Sequence, residues 1–103
     1  MRDDDVLIAS LLEETGLALE RVAAACAVER EWLQRHVEEG FFPRAEFIAG
    51  VWFLPGSSLG RALRIRQFER DFDATPELAA LVADMLEEMD DLRARVGVPV
   101  QSP

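Results

Sequence analysis

Apolar residues in the first half of the chain recur at intervals of three and four, which is the spacing of one face of an α-helix. A first helix is predicted to bury one such set, Leu19, Val22, Ala23 and Cys26. A short turn at Ala27-Val28 follows. A second helix from Glu29 then carries its own apolar stripe, Trp32, Leu33, His36 and Val37. Gly40 is placed to end that helix, because glycine tolerates the left-handed conformation of a helix C-terminus.

The segment before Leu19 fits either a strand or the start of a helix. Its apolar run, Val6-Leu7-Ile8-Ala9 and Leu11-Leu12, is too short for periodicity to decide, and Gly16 breaks it. Residues 1–5 form an acidic tail. We therefore expect residues 1–18 to be an N-terminal segment that is partly disordered.

A small β-hairpin is predicted after the helix pair. Phe47-Ile48 and the run Val51-Trp52-Phe53-Leu54 combine aromatic and β-branched residues around Gly50, which is the signal for two short strands and a tight turn. Pro55-Gly56 ends the hairpin. The chain from 19 to 72 is thus expected to contain a helix pair, a small wing and a third helix.

The third helix is predicted to start at Ser57 or Ser58, either of which is a natural N-cap, and to run to about Phe72. Its apolar positions are expected to be Leu59, Ala62, Leu63, Phe68 and Phe72, with Ile65 less well placed. Four arginines are expected on the other side: Arg61, Arg64, Arg66 and Arg70.

The last helix has the sharpest pattern in the chain. Thr75 can cap it, Pro76 suits its first turn, and it should end near Val96, before Gly97. Its apolar residues step by four and three, as in a coiled-coil seam: Leu78, Val82, Met85, Met89, Leu92 and Val96. We expect residues 73–96 to pair with a second copy as an antiparallel, coiled-coil-like homodimer, with residues 97–103 as a loose tail. The alternative is that this seam folds back on the chain's own helices.

Composition and charge limit the class of protein. Half of the 103 residues are hydrophobic, which is typical of a globular domain. No apolar run is long enough to cross a bilayer, and no signal peptide is recognisable, so a cytoplasmic location is expected. A single cysteine, Cys26, fits a reducing compartment. Eleven arginines face twenty acids, a net charge of −9 that repels nucleic acid and anionic membranes and attracts basic partners.

Catalytic and metal-binding motifs are missing from the sequence. It has no glycine-rich phosphate loop, no HExxH and no CxxC. His36 has no second histidine or paired cysteine at metal-ligand spacing, and Cys26 lies on a predicted buried face without a base beside it. We expect a protein that is not an enzyme and that uses no metal or cofactor.

The order of elements, a helix pair with a short turn, a small aromatic wing and two further helices, is the layout of a MerR-type winged helix-turn-helix. Specific residues add to this. The matching stretches are Cys26-Ala27-Val28, Trp32-Leu33, Val37-Glu38-Glu39-Gly40-Phe41-Phe42-Pro43, Trp52-Phe53, Glu69-Arg70-Asp71-Phe72, Leu86-Glu87-Glu88-Met89 and Leu92-Arg93. Over about residues 19–96 the chain resembles the CbpM-type chaperone-modulator family, small MerR-like proteins that act on the DnaJ-like co-chaperone CbpA.

The resemblance implies a mainly α-helical, homodimeric modulator that binds the J-domain of a co-chaperone and so inhibits its stimulation of the Hsp70-type chaperone DnaK. J-domains present a basic helix, so the contact is expected on acidic residues near the helix pair and on one tryptophan. The residues predicted to bind the partner are Glu13, Glu14, Glu20, Glu38, Glu39 and Trp32. For the tryptophan, packing inside the protein is the competing and favoured interpretation.

A MerR-like transcription regulator is the alternative function. Such a protein would place its second helix in the major groove, with the arginines of residues 61–70 as further candidates for phosphate contact. That helix carries four acids against Arg30 and Arg35, which disfavours DNA. The arginines of residues 61–70 are instead expected to pair with acids such as Asp71 and Asp73 and with those of the final helix. An accessory helix-turn-helix protein of phage or toxin–antitoxin type ranks lower.

Overall fold

The structure, a computed structural model, describes residues 16–97. Within that range the chain is mainly helical, with four α-helices and one three-stranded antiparallel sheet. The elements are β1 (Leu17–Ala18), α1 (Leu19–Cys26), α2 (Arg30–Glu38), β2 (Glu46–Ile48), β3 (Val51–Leu54), α3 (Ser58–Phe72) and α4 (Pro76–Val96). The predicted order of helix pair, hairpin and two further helices is confirmed, whereas β1 was not predicted. The predictions for residues 1–15 and 98–103 lie outside the described residues.

The α1–α2 pair buries both apolar stripes that the sequence predicts. Every predicted stripe residue is buried, including His36. The turn between the helices places Ala27 in the left-handed region, at φ 56°, and the Val28 N–H donates to the Ala23 carbonyl at 3.0 Å. Gly40 ends α2 at φ 90°, a conformation that suits glycine, and the chain then turns inward so that Phe42 is buried.

The sheet is built around β3, which pairs with β1 on one side and β2 on the other. In the β2–β3 hairpin Phe47 lies opposite Trp52, and the two turn residues Ala49 and Gly50 have φ of 51° and 80°. Two consecutive residues with positive φ define the tight turn whose twist suits a hairpin. β2 is an edge strand of the sheet, and all three of its residues are exposed.

Helix α3 differs from its predicted orientation. Ile65 is fully buried and Arg61 is buried, whereas Leu63 and Phe72 are exposed. The reason is that α3 packs against both α1 and α4. Its buried face follows the spacing of Ser58, Arg61, Ala62 and Ile65, and the predicted stripe ignored the second neighbour.

Helix α4 has the predicted bounds. The Thr75 hydroxyl accepts the Leu78 N–H at 3.2 Å, and Pro76 occupies the first turn. The helix packs on α3 through three buried alanines, Ala79, Ala80 and Ala83, whose small side chains let the two helix backbones come close. Within residues 16–97 no helix combines the length and the apolar character needed to cross a bilayer.

Candidate functional site

The seam of α4 lies open in the described part of the chain. Five of its six residues are exposed, and Val82 is half-buried; the exposed ones are Leu78, Met85, Met89, Leu92 and Val96. Leu81, beside the seam, is exposed as well. The core of residues 16–97 therefore includes the alanine face of α4, and most of the large apolar side chains of this helix remain exposed. A contiguous apolar stripe of this kind is typical of an interaction surface.

The acids of α4 on the side away from the seam meet the arginines of α3. Arg61, only 8% exposed, donates from Nη1 to Asp84 at 2.7 Å and to Glu87 at 3.1 Å. Its Nε donates to the Phe41 carbonyl at 2.8 Å, and its guanidinium lies 5.8 Å from the centre of the Phe42 ring. Arg61 thus joins three parts of the fold: α3, α4 and the loop after α2.

Two further arginines of α3 form ion pairs at the surface. Arg64 donates to Asp90 of α4 at 3.0 Å, and Arg66 lies 3.9 Å from Glu29. The prediction that this arginine cluster pairs with acids of the final helix is confirmed for Arg61 and Arg64. Guanidinium groups engaged in this way are less available to nucleic-acid phosphates.

Trp32 is held in a buried polar cluster that sequence reasoning did not anticipate. The ring is 7% exposed and its N–H donates to Glu69 Oε1 at 2.9 Å. His36 stacks on it with ring centres 4.1 Å apart, and Arg66 lies 5.6 Å from the tryptophan ring centre. A partner-binding role for Trp32 would need an exposed ring, which this fold does not provide; the competing prediction of internal packing matches the structure.

His36 completes that cluster from the other side. Its Nδ1 lies 2.8 Å from the Trp32 carbonyl oxygen and its Nε2 lies 2.5 Å from Glu69 Oε2. Both neighbours are hydrogen-bond acceptors, one from the backbone of α2 and one from the side chain of α3. Glu69 therefore binds two buried groups of α2 from α3, a role that no local pattern in the sequence indicates.

The acids predicted to bind a partner lie on the surface where they are described. Glu20, Glu38 and Glu39 are exposed, whereas Glu13 and Glu14 lie outside the described residues. Glu20 Oε1 accepts from Arg30 Nε at 3.3 Å. These three acids come from α1 and from the C-terminal end of α2, so the fold places them on the helix pair, as the sequence analysis assumed.

A groove that the sequence analysis missed lies between the β2–β3 hairpin and the helix pair. Its volume is about 360 Å³. Its apolar side is formed by Phe47, Val51 and Trp52 of the hairpin, and its polar side by residues of α1 and α2: Glu20, Arg30, Gln34 and Glu38. The sequence did carry a signal for it, because consecutive apolar residues on a strand point to opposite faces and one of them must lie outside a single core.

Cys26, a candidate nucleophile, is buried in the core. Burial raises the pKa of the Cys26 thiol, whose S–H donates to the Leu59 carbonyl at 3.5 Å. A thiol of this kind is a poor nucleophile at neutral pH. Among residues 16–97 no group of three or more histidine, cysteine or acidic side chains could hold a metal ion.

Comparison with known proteins adds no relative to this picture. No family model, no curated protein and no solved structure matches the chain.

Proposed function

We propose that this chain is a cytoplasmic regulatory protein that binds the J-domain of a DnaJ/CbpA-like co-chaperone and inhibits it. The observation that carries the proposal is the acidic surface of the helix pair, with Glu20, Glu38 and Glu39 exposed on a chain of net charge −9. Such a surface attracts a basic partner, and the basic helix of a J-domain has the complementary charge. The resemblance to CbpM-type modulators over residues 19–96 supports the same partner.

The fold that we propose in finer terms is a MerR-like winged helix-turn-helix. In this assignment α1 and α2 are the helix-turn-helix, the β2–β3 hairpin is the wing, and α4 is the dimerisation helix. The tight turn at Ala27, the β2–β3 hairpin and the docking of α3 on α1 support it.

The proposed working form is a homodimer joined along the seam of α4. The support is the exposure of Leu78, Met85, Met89, Leu92 and Val96 at heptad spacing. An antiparallel arrangement brings the same surface of both copies together around a two-fold axis. Met85 and Met89 supply flexible side chains that adapt to such a contact.

Binding to a purified J-domain from a CbpA-type co-chaperone tests the proposal. We expect measurable affinity by isothermal titration calorimetry, weaker at high salt because the surfaces are oppositely charged. The chain should also suppress the J-domain's stimulation of DnaK ATPase activity. The absence of binding and of suppression, with the chain shown to be folded, would contradict the proposed function.

A MerR-like DNA-binding regulator is the second candidate, favoured by the arrangement of a helix pair followed by a hairpin. Its weakness is electrostatic, since α2 exposes Glu31 and Glu38, and its Arg30 is engaged by Glu20 and Gln34. A DNA binder should hold a duplex with an affinity that falls steeply as salt rises. Selective, tight binding to a duplex at physiological salt would favour this candidate over the modulator.

A further inference from the structure

The apolar side of the groove, between the wing and the helix pair, is exposed although its residues are large. Phe47 is 61% exposed, and its ring contacts Trp52 with centres 5.0 Å apart. Val51 is exposed beside it, and the strand that carries Phe47 is at the edge of the sheet. Trp52 is partly buried against the core, whereas Phe47 and Val51 stay exposed in the described part of the chain. An apolar residue from another molecule could be buried here against two aromatic rings.

The polar side of the same groove is a chain of hydrogen bonds that leaves negative charge at one end. Glu20 accepts from Arg30, and Arg30 donates to Gln34 Oε1 at 2.9 Å. Gln34 then donates from Nε2 to Glu38 at 3.0 Å. The charge of Arg30 is thus balanced by Glu20, whereas the hydrogen bond to Glu38 comes from a neutral amide.

We infer that this groove is where the partner's basic amphipathic helix docks. One apolar side chain of that helix packs on Phe47 and Trp52, and a lysine or arginine near it pairs with Glu38. The inference rests on the proposed function and adds the place and the mode of binding. Charge favours this occupant: the groove holds two carboxylates, Glu20 and Glu38, against one guanidinium, Arg30, so it attracts a basic helix and repels the phosphates of a duplex. A second copy of the chain is the competing occupant, and the test below separates it by oligomeric state.

Two variants test the groove from its two sides. Phe47→Ser removes the apolar contact, and Glu38→Arg reverses the charge; both side chains are exposed, so the fold should tolerate either change. Matched controls outside the groove are Phe72→Ser, at a phenylalanine that is 69% exposed, and Asp71→Arg, which changes the net charge by the same amount. Circular dichroism checks that each variant is folded, and sedimentation equilibrium measures whether its oligomeric state differs from that of the parent.

The measurement is the dissociation constant for a purified J-domain of a CbpA-type co-chaperone, by titration calorimetry. Each groove variant is expected to weaken binding about tenfold or more, whereas each control stays within about threefold of the parent. The dissociation constant of Glu38→Arg, divided by that of the parent, should become smaller at high salt. The same ratio for Phe47→Ser should stay unchanged, because its contact is apolar.

The possible outcomes distinguish an error in the docking site from an error in the proposed function. If the parent binds the J-domain and both groove variants bind it equally well, the groove is not the docking site, although the proposed function stands. If Phe47→Ser dissociates a dimer, the groove is occupied by a second copy and the inference is wrong. If the parent binds no J-domain, the proposed function and the inference fall together.

Discussion

The two faces of α4 differ in the size of their side chains and in what covers them. The face turned to α3 carries Ala79, Ala80 and Ala83, all buried, whereas the other face carries leucine, methionine and valine that the described chain leaves exposed. In an ordinary amphipathic helix the largest apolar residues lie in the core. Here small residues dock the helix within the chain, and the large ones stay exposed. The strongest periodicity in the sequence therefore marks the face of α4 that the described chain leaves uncovered.

Introducing a charge on the alanine face should have the largest effect on folding. Ala83 is fully buried against the rest of the domain, and Ala83→Asp places a carboxylate there without a prepared partner. We expect the free energy of unfolding to fall by about 3 kcal/mol or more, measured by urea denaturation. The matched control is Ala94→Asp on the exposed part of the same helix, which should cost less than about 1 kcal/mol. Equal losses would mean that α4 does not dock through its alanines.

Introducing aspartates on the seam should dissociate the proposed dimer while each copy stays folded. In Met85→Asp combined with Leu92→Asp, two exposed apolar residues of each copy become charged. We expect a folded monomer, with the dimer dissociation constant raised about 100-fold or more, measured by sedimentation equilibrium. The size-conserving control is Met85→Leu with Leu92→Met, which should remain dimeric. Unfolding of the aspartate variant would show instead that the seam is part of the chain's own core.

Replacing Arg61 or Arg64 tests, with a smaller expected effect, how much their ion pairs with α4 stabilise its packing on α3. Both pair with acids of α4, but Arg61 is 8% exposed and Arg64 is 35% exposed. Arg61→Met should reduce the free energy of unfolding by about 1 to 3 kcal/mol, because the Phe41 carbonyl and two carboxylates lose their donor. Arg64→Met should cost less than about 1 kcal/mol, as for an exposed ion pair.

Measuring the free energy of unfolding of the same two variants at high salt distinguishes them further. Screening should reduce the already small effect of Arg64→Met and leave most of the effect of Arg61→Met, because the buried guanidinium is less accessible to ions. A loss for Arg61→Met that shrinks at high salt as much as the loss for Arg64→Met would mean that Arg61 acts as no more than a surface charge.

The sequence predicted α1 and α2 well because each has one apolar stripe facing one core. The prediction failed for residues whose element packs against two others, or whose partner is distant in sequence. Arg61 was placed on the solvent side, and Leu63 and Phe72 on the apolar side, because the prediction gave α3 one neighbour whereas it packs between two helices. Its buried face therefore includes a position that charge alone assigns to solvent. A strand as short as β1 has no alternation to detect, and its identity comes from pairing with β3.

Of the candidate sites, one could be predicted from local spacing and two depend on tertiary packing. The seam of α4 could be predicted, since heptad spacing is local in sequence. The cluster of Trp32, His36 and Glu69 could not, because Glu69 is 33 residues from His36 and meets it only through tertiary packing. The groove beside Phe47 needs the positions of the hairpin and of α2 relative to each other, which are properties of the fold.

Cys26 offers the smallest and most local test of whether the two faces of α4 are independent. Burial raises the pKa of its thiol, so the thiolate fraction near pH 8 is lower than that of a free cysteine, and alkylation by iodoacetamide should be slow in the native protein. Its rate should continue to increase with pH above the range in which a free thiol levels off. The seam variant Met85→Asp with Leu92→Asp should change this rate by less than about twofold, because the contact of Cys26 with Leu59 lies inside the domain. Ala83→Asp should speed alkylation strongly, since it opens that interior. A seam variant that exposes Cys26 as much as Ala83→Asp does would show that the large residues of α4 hold the domain together as well.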